Sequence, residues 1–208
     1  MTAQISNTFF YNNENWELIA STDEIKFDPR KYGLEPISPC TACWDGFVCD
    51  YEITKESLNL KTLYICLGWP GYPGIIDESK EGPEYPVVMN TEATEVPEDT
   101  FSFFDHCYNF NMPVKYTGKL MLGKDFMQEY YIHMGWQQAW AFKTVKEFEF
   151  KNGVLVNVVD YSDKVEKVRQ DLNEHPEKVE EFKGNIPFFV ENSFAMDYES
   201  KAWWIDKY

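Results

Sequence analysis

The sequence lacks any cluster of basic residues. Its 208 residues include 19 Lys and Arg against 35 Asp and Glu, which gives a formal net charge of -16. Binding to nucleic acid or to an anionic membrane surface depends on clustered positive charge. We therefore expect neither a nucleic-acid partner nor a membrane partner. The acidic balance favours instead a basic protein as the partner.

The chain also lacks a long hydrophobic run. Its densest apolar stretches, residues 186–190 and 202–205, fall far short of the roughly 18 residues that a membrane-spanning helix needs. Residues 1–16 contain no Lys or Arg and no apolar core of the length that a secretory signal requires. The five cysteines are an odd number, which fits reduced thiols better than a disulfide framework. These features predict a cytoplasmic protein.

No complete metal or catalytic motif is present. Cys40, Cys43 and Cys49 form a single close pair with one extra thiol, whereas a structural zinc site needs four ligands, typically two such pairs. A redox pair would begin a helix, but here a glycine and a strand pattern follow. The His and Cys of residues 105–107 are adjacent in sequence, and catalytic partners must instead meet through the fold. We therefore predict buried or half-exposed reduced cysteines, no metal, no cofactor and no catalytic residue.

Alternating apolar and polar residues dominate what is present. Residues 47–53 and 58–65 alternate around a short polar connection, which predicts a hairpin. A second hairpin is predicted over 145–159, because Asn152-Gly153 favours the type I′ turn that suits antiparallel strands. Further short strands are indicated at 16–19, 85–89 and 120–122. The fold class is α+β and mainly antiparallel β, a hairpin-built sheet or partly open barrel, with two short helices near the C-terminus.

A single domain over residues 1–208 is predicted, with three distinctive segments. Residues 68–100 form an acidic loop rich in Pro and Gly. Residues 162–184 form a helical segment, in which Asp163 to Glu166 resembles a capping arrangement and Val165, Val168 and Leu172 share one helical face. A second short helix is predicted near 179–184. Residues 185–208 form an aromatic segment that we expect to pack on the sheet.

The acidic loop and the aromatic segment supply the candidate partner-binding residues. Residues 77–100 hold eight acidic residues against one lysine. This charge either keeps a loop solvated or forms a docking surface for a basic protein. Aromatic side chains typically hold the centre of such an interface. The predicted partner-binding residues are Glu92, Glu95, Glu98, Asp99, Trp203 and Trp204.

A second kind of site is suggested by the sequence Gly-Trp-Gln-Gln-Ala-Trp at 135–140. Trp136 and Trp140 are candidate walls of a ligand pocket, and Gln138 is a candidate polar contact within it. Packing of the two rings in the core is the alternative interpretation.

Three short stretches carry a resemblance: Asp-Pro-Arg-Lys-Tyr-Gly-Leu at 28–34, Tyr-Glu-Ile at 51–53 and Tyr-Thr-Gly-Lys-Leu at 116–120. In these stretches the chain resembles small uncharacterised acidic bacterial proteins, some of which are immunity partners of secreted toxins. The resemblance implies an immunity-type inhibitor that occludes a basic toxin domain. The alternative is a small-molecule-binding or hydrolytic barrel-like protein with an aromatic-lined pocket, and the sequence leaves both open.

Overall fold

The computed structural model describes residues 2–25, 27–67, 85–97, 103–104, 106–175 and 193–208. Within these residues, nine strands form one sheet in the order β5-β6-β4-β3-β1-β2-β7-β8-β9. Every neighbouring pair is antiparallel except β1 and β3, which run parallel. The elements are β1 Thr8–Tyr11, β2 Glu14–Ser21, β3 Phe47–Ile53, β4 Leu58–Ile65, β5 Ala93–Glu95, β6 His106–Pro113, β7 Gly118–Phe126, β8 Phe142–Lys151, β9 Val154–Asp160, α1 Ser162–Glu174 and α2 Tyr198–Ala202, with short 3₁₀ helices at Pro29–Tyr32, Gln128–Tyr130 and Ala139–Ala141. The predicted α+β, mainly antiparallel fold class is confirmed.

Both predicted hairpins are present. β3 pairs with β4 and β8 pairs with β9, each antiparallel. Asn152 and Gly153 have φ angles of 52° and 83°, as a type I′ turn requires. A third hairpin, β1–β2, was not predicted at this position. Its turn residues Asn12 and Asn13 also have positive φ angles, 53° and 62°.

The connection between β6 and β7 forces the sheet to curl. Five peptide steps separate Pro113 from Gly118, and they span at most about 18 Å. In a flat sheet the two strands would stand five spacings apart, about 24 Å. Three hydrogen bonds close this end of the sheet, from Leu58 N to Gly153 O (2.8 Å), Val114 N to Leu58 O (2.7 Å) and Gly153 N to Tyr116 O (2.7 Å).

The curl encloses one face of the sheet, which we call the inner face. The rings of Tyr11 on β1 and Phe148 on β8 approach to 5.0 Å between centroids, although three strand spacings of a flat sheet would separate them by about 14 Å. The inner face therefore carries the largest apolar core. Its most buried members include Phe9, Trp16, Tyr51, Leu60, Leu63, Tyr108, Leu120, Phe148 and Phe150.

The opposite, outer face is covered by α1 and α2 over part of its area. Val165 and Val168 are buried there and Leu172 packs against them, which confirms the predicted helical face. The predicted capping arrangement at Asp163 is wrong, because Asp163 already lies inside the helix and the cap residue, Tyr161, makes no side-chain capping hydrogen bond. Asp160 accepts the Ser162 backbone N–H at 2.9 Å. α2 lies inside the predicted aromatic segment, and the helix predicted near 179–184 falls outside the described residues.

Neither described helix is long and apolar enough to cross a membrane.

The Asn152-Gly153 turn generates a prediction for Gly153→Val. A Cβ at Gly153 would stand 2.4 Å from Val114 O, in addition to the strain of a β-branched residue at positive φ. Gly33→Val is a matched control, since Gly33 has φ +79° but no atom within 4 Å of an added Cβ. We expect the control to cost about 1–2 kcal/mol and Gly153→Val to cost about 3 kcal/mol or more in urea denaturation. Equal losses in the two variants would contradict this account of the turn.

Candidate functional site

The described part of the acidic loop is residues 85–97, which we call the edge segment. It contains β5, the outermost strand, which lies beside β6. Val88 and Thr91 exchange two backbone hydrogen bonds, at 3.0 and 2.8 Å, around a two-residue turn. A strand was predicted at 85–89, but it lies at Ala93–Glu95 instead. The reason is that Pro86 lacks a backbone donor and the turn at 89–90 reverses the chain.

The edge segment is held firmly at its N-terminal side. Val88 is only 3% exposed and belongs to the inner-face core. The Tyr85 ring stacks on His106 with 3.8 Å between centroids, and its hydroxyl accepts the Leu67 N–H at 3.2 Å. The Tyr108 hydroxyl donates to Pro86 O at 2.9 Å. These contacts fix the turn in the folded chain, and a surface that is already fixed loses little entropy if it binds another molecule.

Beyond these anchors, the edge segment exposes apolar side chains beside carboxylates. Val87 and Met89 are 62% and 50% exposed, on either side of the buried Val88. Glu92 and Glu95 are exposed directly after the turn. An apolar centre with a charged rim is the usual composition of a protein-binding surface. The arrangement can thus both attract a basic surface and exclude water at its centre.

Backbone strain is concentrated at the tip of this turn. Met89 and Asn90 have φ angles of 50° and 62°. Asn tolerates this conformation, whereas for Met the left-handed region costs about 1–2 kcal/mol. Such strain persists where the surroundings fix the backbone, and it is frequent in ligand-binding segments. The structure thus keeps an exposed methionine at a position where glycine would be more stable.

The other four predicted partner-binding residues are not part of the edge segment. Glu98 and Asp99 lie outside the described residues. Trp203 is 43% exposed, whereas Trp204 is fully buried and its Nε1 donates to Lys201 O at 2.8 Å. Trp204 is therefore a core residue of the folded chain, and only Trp203 of the pair lies at the surface.

Two of the three predicted pocket residues, Trp136 and Trp140, contact α2 or the residue that follows it. Trp136 is half-buried, and Gln138 and Trp140 are buried, with exposed fractions of 1% and 8%. Trp140 contacts Trp203 edge to face, with 6.3 Å between ring centroids. The fold thus brings a predicted pocket residue into contact with a predicted partner-binding residue.

Lys201 is an ionisable group that the sequence analysis missed. It is fully buried, and its Nζ donates to Trp136 O at 3.2 Å. Burial lowers the pKa of Lys201 from 10.5 to about 7, although the charge of Asp197 acts in the opposite direction. No sequence signal distinguishes this lysine from surface lysines, because its burial depends on packing between distant segments.

Four of the five cysteines, Cys40, Cys43, Cys66 and Cys107, belong to one apolar cluster, separate from the fifth, Cys49. Cys40 and Cys43 close a turn in which Cys43 N donates to Cys40 O at 3.1 Å, whereas Cys49 lies in the inner-face core. Burial raises the pKa of Cys43 and of Cys49 to about 12, so both thiols are protonated at neutral pH. His106 and Cys107 are neighbours on β6, and a strand directs neighbouring side chains to opposite faces. In the described part of the chain, no group of three or more His, Cys, Asp or Glu is placed to hold a metal ion.

Comparison with protein-family models, with curated proteins and with solved structures gave no match for this chain.

The strain at Met89 predicts that Met89→Gly stabilises the fold. Glycine adopts φ 50° without steric cost, so we expect a gain of about 1 kcal/mol in urea denaturation. Asn90→Gly is the control, since Asn already tolerates the left-handed region, and it should change stability by only a few tenths of a kcal/mol. A loss of stability in Met89→Gly would show that the methionine side chain supports the fold rather than a binding surface.

Burial of Lys201 predicts a pH-dependent effect of Lys201→Met. With a pKa of about 7 in the folded state and 10.5 unfolded, the unfolded chain binds more protons, so this lysine makes stability rise with pH between those values. Lys201→Met should remove that slope and stabilise the protein at pH 7 by on the order of 2–4 kcal/mol. The exposed Lys31→Met is the control, with no expected change. A pH slope that is identical in wild type and Lys201→Met would contradict the burial argument.

Proposed function

We propose that this chain is a cytoplasmic binding protein, an immunity-type inhibitor that occludes a basic partner protein with its edge segment. The proposal is supported chiefly by one observation, the rigidly anchored turn that exposes Val87 and Met89 beside Glu92 and Glu95. The carboxylates and the apolar side chains of the edge segment are expected to contribute at different stages of binding.

The carboxylates act before contact is made. A net charge of -16 attracts a basic protein over long range, and acidic residues near the contact site orient the encounter. Residues 92–99 contain four of the chain's acidic residues within eight positions. Their effect is therefore expected mainly in the association rate, and it weakens as salt screens the attraction.

The apolar tip acts after contact. Met89 is unbranched and polarisable, and it adapts to an irregular partner surface. Val88 fixes the backbone below it, so that little conformational entropy is lost when Met89 and Val87 become buried. The tip is therefore expected to govern the dissociation rate, because short-range packing is lost only as the complex separates.

The test needs a defined partner. The proposal expects a gene for a secreted toxin next to the gene for this chain, and the basic C-terminal domain of that toxin is the partner to use. Association and dissociation are measured by surface plasmon resonance over a range of salt concentrations. Changing Glu92, Glu95 and Glu98 to Gln and Asp99 to Asn should slow association about tenfold at low ionic strength. Met89→Gly should instead speed dissociation by about tenfold, equivalent to about 1.4 kcal/mol.

A matched control separates local from global charge. Changing four exposed glutamates elsewhere to Gln alters the net charge equally; these are Glu24, Glu35, Glu56 and Glu129. The control should slow association much less than the four substitutions at residues 92–99. An association rate that is indifferent both to salt and to those four substitutions would overturn the proposal for this surface. The exposed Trp203 would then become the residue to test.

A further inference from the structure

A cleft of about 650 Å³ lies on the outer face of the sheet, over β1, β3 and β4. It lies where the turns that follow β1 and β3 meet, because these two strands run parallel with Tyr11 beside Ile53. Its volume falls within the roughly 300–1,000 Å³ that is usual for small-molecule sites. The edge segment is anchored in the inner-face core through Val88, so the cleft is separate from the proposed partner-binding surface.

Hydrogen-bond donors and hydrogen-bond acceptors both line the cleft. Asp50 is only 9% exposed and accepts the Tyr64 hydroxyl at 3.2 Å; burial raises the pKa of this carboxyl. Glu52 lies 3.4 Å from the ammonium group of Lys61. The side chains of Asn12 and Asn13 are exposed at the rim and form no hydrogen bond with another described residue. Donors and acceptors therefore face the same space.

One aromatic ring lies among these polar groups. Phe10 is half-buried and stands beside Glu52 in the register of β1 and β3. It belongs to none of the three apolar clusters formed by the described residues. Its ring is therefore free to pack against the apolar side of a ligand.

The charges of the lining balance. Asp50 and Glu52 carry two carboxylates, and Lys55 and Lys61 carry two ammonium groups. A phosphate would meet the carboxylates and a polyamine would meet the lysines, so neither is favoured. Hydroxyl groups both donate and accept hydrogen bonds, and a sugar ring also presents an apolar face of C–H groups. We infer that this cleft binds a neutral saccharide, with its ring on Phe10 and its hydroxyls on Asn12, Asn13, Asp50 and Glu52.

The experiment titrates the ¹⁵N-labelled protein with glucose, galactose, mannose and N-acetylglucosamine, and separately with glucose 6-phosphate and spermidine. At least one neutral sugar should shift the amide signals of residues 10–13 and 50–55. The two charged probes should bind at least about tenfold more weakly, because each meets like charges in the lining. Titration with a soluble tetramer of the sugar that binds distinguishes two sources. Affinity that rises with chain length indicates a polysaccharide, and equal affinity indicates a free sugar.

Two variants test the assigned contacts. Asn13→Gly keeps the turn, since glycine suits its φ of 62°, and removes only the amide; affinity should fall about 3- to 10-fold, the effect of one hydrogen bond. Phe10→Ala should weaken binding by about tenfold or more through loss of ring packing. Phe126→Ala, which removes an exposed ring outside the lining, should leave affinity unchanged.

The inference is overturned if none of the four sugars shifts the cleft signals. It is equally overturned if a charged probe binds more tightly than every sugar, or if Asn13→Gly binds as well as the wild type.

Discussion

The short connection between β6 and β7 is the constraint on which the architecture depends. A sheet of nine strands whose distant members are joined by four residues cannot stay flat, and its curl encloses the inner face. The backbone hydrogen bonds among Leu58, Val114 and Gly153 hold the closed end together. The edge segment borders the same core, because β5 pairs with β6 and Val88 packs among the inner-face residues.

Because the enclosed face is filled with apolar side chains, both proposed binding surfaces lie elsewhere. The edge segment sits at one margin of the sheet, and the polar cleft lies on the part of the outer face formed by β1, β3 and β4. α1 and α2 pack instead over the region of β2, β7 and β8. One curved sheet thus offers two separate surfaces of different character, one acidic and apolar, the other polar with balanced charge.

Sequence patterns predicted those parts of the fold that depend only on residues close together in the chain. Asn152-Gly153 specified its hairpin because few residues tolerate two positive φ angles in succession. The Asn12-Asn13 turn has the same geometry, but β1 is only four residues long and half of its pairing, that with β3, is with distant sequence. Trp203 and Trp204 could not be separated, since which ring is buried depends on how a five-residue helix docks on β2. The polar cleft joins residues 10–13 with 50–62, and no spacing in the sequence signals such a meeting.

The β1–β2 hairpin occupies the middle of the sheet, between β3 on one side and β7 on the other. Its residues are the earliest of the nine strands to be synthesised, yet their last neighbour, β7, is completed more than 100 residues later. Until then, one long edge of the hairpin has no partner strand. Pairings of such large sequence separation slow folding and expose strand edges to aggregation. The centre of the sheet can therefore be completed only after residue 126 of the 208 has been synthesised.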